Sequence, residues 1–371
     1  MNAIAITTIV DHILMHAVRD CQQHDQWHLA SLLVLGHALL PDTLAAVLVL
    51  DESLGMDIAS ARGDTRVLDA WLSAFPRPRR LSAFYSEQAI FLSAQHGRLD
   101  SLQWWLRRHQ SHGIELKVGI FDPHAEDSCL PLDVASKGGY LGIIQWWWDT
   151  AAATPHGPLA FDYSCFAVGS ASEHGRCKVL EFWWQLHVEH GVPFKFTEAI
   201  FWASVNNHRP ALDWWTQWHT RTGQPLCFDY YIYDADDPHG DDGDPWYRFS
   251  GVQPAVERAV DCAAIDVLGW WAEMLAAGQL PSGSLPSIAI VFEHLPARGQ
   301  PVPLDLFSAI EWCAQIQQDH GVKIIVDPGA LDHAAELGHK DVLSTMWNAH
   351  IFYGWAYPLS HSPPAQNEKQ I

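Results

Sequence analysis

ASARGDTRVLDAW (59–71), SAQHGRLDSLQWW (93–105), ASKGGYLGIIQWW (135–147), ASEHGRCKVLEFW (171–183), ASVNNHRPALDWW (203–215) and AVDCAAIDVLGWW (259–271) are six copies of one frame. Each copy runs through two small residues, two variable ones, a glycine or a stand-in, three variable ones, a mostly apolar pair, two more residues and a closing tryptophan. A further copy is AAELGHKDVLSTM (334–346), where Met346 takes the tryptophan place. The glycine place holds Gly63, Gly97, Gly139, Gly175, Asn207, Ala263 and Gly338, and a second glycine often follows 16 residues later, as from Gly97 to Gly113 and from Gly175 to Gly191. Counting back by the same step from Gly321 reaches Asp305, with Ala309 and Ile310 in the apolar places, which adds an eighth copy. A unit near 33 residues with insertions between some copies accounts for the spacing.

The physics of one unit follows from the frame. A short helix precedes the glycine, as in TEAIFWAS (197–204), and its small Ala and Ser residues let a neighbouring helix come close. Thr197 or Ser86 is placed to cap such a helix, with Glu198 or Glu87 favourable in its first turn. The glycine place tolerates a left-handed turn, which Asn207 also accepts. A second helix follows, for example 177–191, where Val179, Leu180, Trp183 and Trp184 form one apolar face at helical period. One such pair cannot bury its apolar face alone, so neighbours must stack. The sequence therefore predicts an all-α solenoid of about eight stacked helix-turn-helix units. Gly63, Gly97, Gly139, Gly175 and Gly338 are its turns, and Trp71, Trp105, Trp147, Trp183, Trp215 and Trp271 its repeating core.

Composition narrows the function. The 371 residues are 48% hydrophobic, enough to fold, and carry a net charge of −21. That charge repels phosphate backbones and favours a partner with basic segments over nucleic acid. The seven scattered cysteines show no CxxC spacing, which points to a reducing, intracellular and cytoplasmic setting. The first residues lack a basic leader. The apolar stretch 29–50 is interrupted by His37, Pro41 and Asp42, so it reads as a packed helical cap and not as a membrane span. We expect a cap over 1–50, the repeat array over 51–357 with an acidic loop at 234–246, and a disordered tail over 358–371.

Residues 131–148 (PLDVASKGGYLGIIQWWW) and 331–343 (LDHAAELGHKDVL) resemble the ankyrin repeat, with its Pro-Leu-His start, paired alanines, Gly-His and Val/Leu run; 56–68 (MDIASARGDTRVL) match more loosely. Asp133 stands where that family has His, the Thr-Pro start is mostly missing, and Trp pairs replace the Leu pair. The chain is similar to divergent, Trp-rich, fungal-type ankyrin arrays. The resemblance implies a monomeric, non-catalytic protein-interaction scaffold with a concave binding face made by first helices and inter-repeat loops. It implies no cofactor and names no partner.

The two variable residues before each glycine are the candidate partner-binding positions: Arg62, His96, Lys137, His174, Asn206 and Glu336. A second candidate is the loop YDADDPHGDDGDPW, whose Asp234, Asp236, Asp237, Asp241, Asp242 and Asp244 could dock a basic peptide. Its spacing fails the calcium-loop pattern, because His239 stands where the sixth-position glycine belongs. Asp234 to Asp237 also reads DxDD, the acid motif of class II terpene cyclases, but the fuller Gln-Trp motif of those enzymes is absent. The Trp pairs could instead form a carbohydrate or lipid platform, yet their helical spacing assigns them to the core. The many histidines near helix ends suit carbonyl capping, and no paired metal-ligand spacing appears.

Overall fold

The computed structural model describes residues 55–119, 130–154, 157–196, 198–233, 246–250, 252–280, 285–292 and 294–355. The expected cap, the acidic aspartates and the tail lie outside the described residues, as does the 29–50 stretch. The chain divides into two compact units, one ending at Ala167 and one beginning at Val168. Helices dominate both. No described helix is long and apolar enough to cross a membrane.

In the first unit, α1 (Met56–Arg62) and α2 (Thr65–Ala74) are followed by a single turn, α3 (Pro78–Leu81). Then come the pairs α4 (Gln88–Gln95) with α5 (Leu99–His112) and α6 (Pro131–Gly138) with α7 (Leu141–Ala153). Gly63, Gly97 and Gly139 turn each pair at φ of 81°, 71° and 79°. At Gly97 the requirement is double, since a Cβ there would lie 2.7 Å from the Tyr140 ring. First helices stack on first helices, α1 on α4 and α4 on α6, and α2 packs on α5. Ser86 does help start α4, its Oγ accepting from the Gln88 N–H at 3.1 Å.

Three hydrogen-bond rules join one copy to the next. First, the closing tryptophan reaches back to the small-residue pair, so that Trp105 Nε1 donates to Ser60 Oγ at 2.9 Å. Where that pair ends in Ala94, which has no hydroxyl, Trp147 Nε1 donates instead to the Ala160 carbonyl. Second, a carboxylate two residues before the pair holds the following copy. Asp57 accepts from Ser86 N and Oγ, and the fully buried Asp133 accepts from Ser164 N and Oγ and from Leu130 N. This is the place where the ankyrin pattern has His. Third, an acidic residue on the second helix takes the preceding indole of the next copy, as Asp69 accepts from Trp104 Nε1 at 2.8 Å with Arg108 on the same oxygen.

The second unit repeats these rules in part; in the copy ending at Trp271 the first and third lapse, since Trp270 Nε1 donates to Thr216 Oγ1 and the Trp271 indole does not reach Ser204. The unit contains α8 (Phe166–Glu173, which begins just before it), α9 (Cys177–His190), α10 (Ala199–Val205), α11 (Arg209–Thr222), the strands β1 (Asp229–Tyr233) and β2 (Trp246–Ser250), α12 (Val252–Asp261), α13 (Ile265–Ala276), β3 (Ser287–Ile290), α14 (Leu304–His320), β4 (Lys323–Val326), α15 (Pro328–Leu337) and α16 (Lys340–Tyr353). Trp215 Nε1 donates to Ser172 Oγ at 2.7 Å. Glu181 accepts from Trp214 Nε1 and from Arg221. Burial pushes the Glu181 carboxyl up, but its bonds from Arg221 and Trp214 prevail and hold it below its usual range. Glu257, in the ladder place of Asp57 and Asp133, accepts from Ala289 N at 2.7 Å. The turn residues are again left-handed: Gly175 at 65°, Asn207 at 55°, Ala263 at 52° and Gly338 at 77°. Asn207 adds a bond that glycine could not make, its Oδ1 accepting from the Val267 N–H of α13.

The second glycines close the long helices in the same way, as at Gly113, Gly191, Gly223 and Gly354. A recurring imidazole four residues earlier completes each closure. The Nδ1 of His109, His187, His219 and His350 bonds the carbonyl of Ile114, Val192, Gln224 and Trp355 respectively. A carbonyl only accepts, so each of these nitrogens carries the proton. Sequence reading places histidines at helix ends and assigns them carbonyl capping, but it does not mark these four.

Two ribbons add strand to the expected helices. β1 and β2 pair antiparallel, with Tyr233 opposite Trp246, so the acidic residues 234–245 join their ends. β3 and β4 pair parallel, from Ser287 opposite Lys323 to Ile290 opposite Val326. The eighth copy differs from its expectation. Ala309 and Ile310 are buried as expected, but Asp305 lies in the first turn of the unbroken α14 and is no turn residue. Among the described residues no first helix precedes it, and β3 packs against α12 where that helix would stack. The run SIAIV (287–291) is rich in β-branched residues and lacks the small pair that lets helices approach.

The repeating tryptophans are core. Trp71, Trp105, Trp147, Trp183, Trp215 and Trp271 are all buried, and neighbours such as Trp104–Trp105 and Trp214–Trp215 meet edge to face at 5.0 Å.

Candidate functional site

The turn before each left-handed residue combines a constant backbone with changing chemistry. The side chains of Arg62, His96, Lys137, Asn206 and Glu336 are exposed there, while His174 is half-buried beside Glu173 at 3.5 Å. Asn206 Nδ2 donates to the Trp202 carbonyl, and the partly exposed Trp202 donates through Nε1 to Glu198. Guanidinium, imidazole and amide thus stand directly before the turn residue at Arg62, His96 and Asn206, and ammonium and carboxylate stand one place earlier at Lys137 and Glu336. The structure brings them to one kind of position, the C-terminal end of a first helix. It does not gather them into a catalytic cluster, and the six candidate aspartates of the acidic loop lie outside the described residues.

The copy that ends in Trp271 breaks the pattern at this turn. Its two variable residues are Asp261 and Cys262, followed by the left-handed Ala263. Asp261 turns inward, its side chain only 1% exposed. Its Oδ2 accepts from His294 Nδ1 at 2.8 Å and from Arg258 Nη1 at 3.3 Å. A carboxylate that deep is costly to desolvate unless it is paired and hydrogen-bonded, and both conditions hold here. His294 arrives from the segment after β3, which Phe292 redirects through a φ of 53°. Cys262 is half-buried beside them, and one ligand atom from each of Asp261, Cys262 and His294 lies within 4.8 Å of the others.

The three line a cavity of about 160 Å³, whose walls also include Phe292, Leu306 and Asp305. None of the frame tryptophans lines it. A cavity that size holds several waters, since one water needs only ~10–15 Å³ of such volume. It is concave, partly apolar and carries converging polar groups, as a small-ligand site requires.

Sequence reading missed this cluster. Asp261 and Cys262 sit in the variable places, yet His294 is 32 residues beyond Cys262 and no local motif links them. The inward turn of Asp261 depends on His294 being there to receive it. No protein-family model matches this chain, and no curated protein matches it.

Elsewhere, burial pushes the Cys313 thiol far above its ordinary range and the Cys177 thiol up as well. A raised thiol pKa favours the protonated form over the thiolate that acts as nucleophile. None of the described cysteines Cys165, Cys177, Cys227, Cys262 and Cys313 is joined in a disulfide.

Proposed function

We propose that this chain is a non-catalytic scaffold, an ankyrin-type solenoid of about eight units that binds another protein through the ends of its first helices and the loops beside them. The observation that carries the reading is the recurrence within each compact unit of a left-handed turn preceded by exposed side chains of changing chemistry, Arg62, His96 and Lys137 in the first and Asn206 and Glu336 in the second. Repeat folds bind in this way because the stack consumes the apolar faces and leaves the turns free to vary. Support also comes from the tryptophans, whose burial between helices suits a structural role better than a carbohydrate or lipid platform. The charge of −21 favours a partner with basic segments over nucleic acid, and the acidic residues 234–244 belong to the same proposal. Described cysteines outside any disulfide fit an intracellular, cytoplasmic setting. We take the working form to be a monomer.

The test compares the full chain with a variant in which the exposed Arg62, His96, Lys137, Asn206 and Glu336 are all changed to serine. Crosslinks from the wild-type chain to a partner should map to the turns and weaken with salt. The variant should lose that partner while its thermal midpoint stays close to wild type, because exposed substitutions rarely change stability much. Equal capture by the two proteins would refute the assignment of the surface.

A further inference from the structure

We propose that Asp261, Cys262 and His294 form a binding site for a single divalent transition-metal ion of the zinc class, with the cavity supplying the remaining coordination space. The inference is independent of the scaffold reading, and it runs against the sequence expectation that this chain holds no metal.

Three features carry it. The donor set combines a thiol, an imidazole and a carboxylate, the mixture that borderline-soft divalent zinc and cobalt take in preference to calcium or magnesium. The ligand atoms already lie within 4.8 Å of one another. Metal–ligand bonds of about 2.0–2.3 Å in tetrahedral geometry bring donors to roughly 3.3–3.8 Å apart, so adjustments of about an ångström suffice. Third, all three donors line the same cavity of about 160 Å³, which leaves room for a water or another small ligand on the ion.

The surrounding charges set the terms. Arg258 shares Asp261 Oδ2 and opposes a cation there, whereas Asp305 on the cavity wall favours one. His294 must give up or redirect its 2.8 Å hydrogen bond to Asp261 when the ion enters. Its side chain is 56% exposed, so it can move without disturbing the core. Ion entry exchanges the Cys262 thiol proton for the metal, releasing that proton to solvent with no change of oxidation state.

Cobalt(II) is the probe, because thiolate ligation gives it an intense near-ultraviolet charge-transfer band that imidazole and carboxylate ligands alone do not give. Chelator-treated full-length protein titrated with cobalt(II) should develop this band, saturate at one ion per chain and lose the band when zinc(II) is added. The Cys262→Ser variant should show no band, and the Cys165→Ser variant should show it undiminished. His294→Ala, with its far-ultraviolet circular dichroism unchanged, should bind zinc at least about tenfold more weakly by calorimetry, since losing even an outer partner of a metal ligand costs that much. No band in the wild-type protein, a band that persists in Cys262→Ser, or zinc affinity unchanged in His294→Ala would overturn the proposal.

Discussion

Replacing Ser60 by alanine tests the rule that joins successive copies. Ser60 is fully buried, and its Oγ accepts the Nε1 proton of Trp105, itself 1% exposed, at 2.9 Å. The hydroxyl also donates to the Met56 carbonyl within its own helix, a bond that many helical serines make at little net gain. Alanine removes one small polar atom and opens almost no cavity. The cost therefore comes from the stranded indole N–H, at about 1–3 kcal/mol for a buried donor left without a partner. Trp105→Phe removes the donor instead. It loses the bond and some volume, yet strands only a serine hydroxyl that keeps its bond to Met56. In the double variant neither group is stranded, so its cost should fall short of the sum of the single costs by about 1 kcal/mol or more. The assay is thermal and urea unfolding of all four proteins followed by circular dichroism. For a unit of 150–250 residues each kcal/mol moves the midpoint by about 2–4 °C, which is readily resolved. The copy with Ala94 supplies an internal control. Trp147 already bonds the Ala160 carbonyl, so Ala94→Ser should not stabilise the chain. Strict additivity of Ser60→Ala and Trp105→Phe would refute the coupling, as would a stabilising Ala94→Ser.

Asp133→Asn should destabilise the first unit by about 2–3 kcal/mol, because an amide nitrogen replaces one of two oxygens that accept only from donors; an unchanged urea midpoint would contradict this. Ala263→Gly should raise stability by roughly 1 kcal/mol, since alanine is strained at a φ of 52° and glycine is not; a lower melting temperature would count against it. His208 is held below the ordinary histidine value of 6.5 by burial first, then by His174 and Arg176. The unfolded chain therefore takes up this proton before the folded one does. The ring's contribution is full above pH 6.5 and is lost as pH falls through the lowered folded value. His208→Asn should accordingly flatten the acid side of the melting-temperature profile, and an identical slope in both proteins would exclude His208 as its source.

Much of the fold was legible because a turn leaves a local mark. A left-handed residue needs glycine or a tolerant substitute, so Gly63, Gly97, Gly139, Gly175, Asn207 and Gly338 announce themselves at fixed spacing. Trp183 and Trp215 were readable as core for the same reason, since a helix face repeats at a fixed period. What depended on a distant partner was not readable. Asp57 and Asp133 look like drift from a family histidine until Ser86 and Ser164 are seen donating to them. Asp305 matched the turn place by counting alone, but Ser287–Ile290 forms a strand, and Asp305 itself sits in the first turn of an unbroken helix. The exposed turn residues Arg62, His96, Lys137, Asn206 and Glu336 were legible as a set of sequence positions. The cluster of Asp261, Cys262 and His294 was not, because His294 lies 32 residues beyond Cys262 with no local motif to link them.

The parallel ribbon of β3 and β4 bears on how the second unit assembles. Neighbouring helix pairs can form one after another, each gaining contacts from chain just beside it. β3 instead waits for a strand that follows some thirty residues later, after α14 has been laid down. Ribbon formation must overcome the entropy of closing that long loop before any rung is gained. The segment from α12 to β4 is thereby bound into one cooperative block, which opens and closes as a whole where a regular array would fray copy by copy.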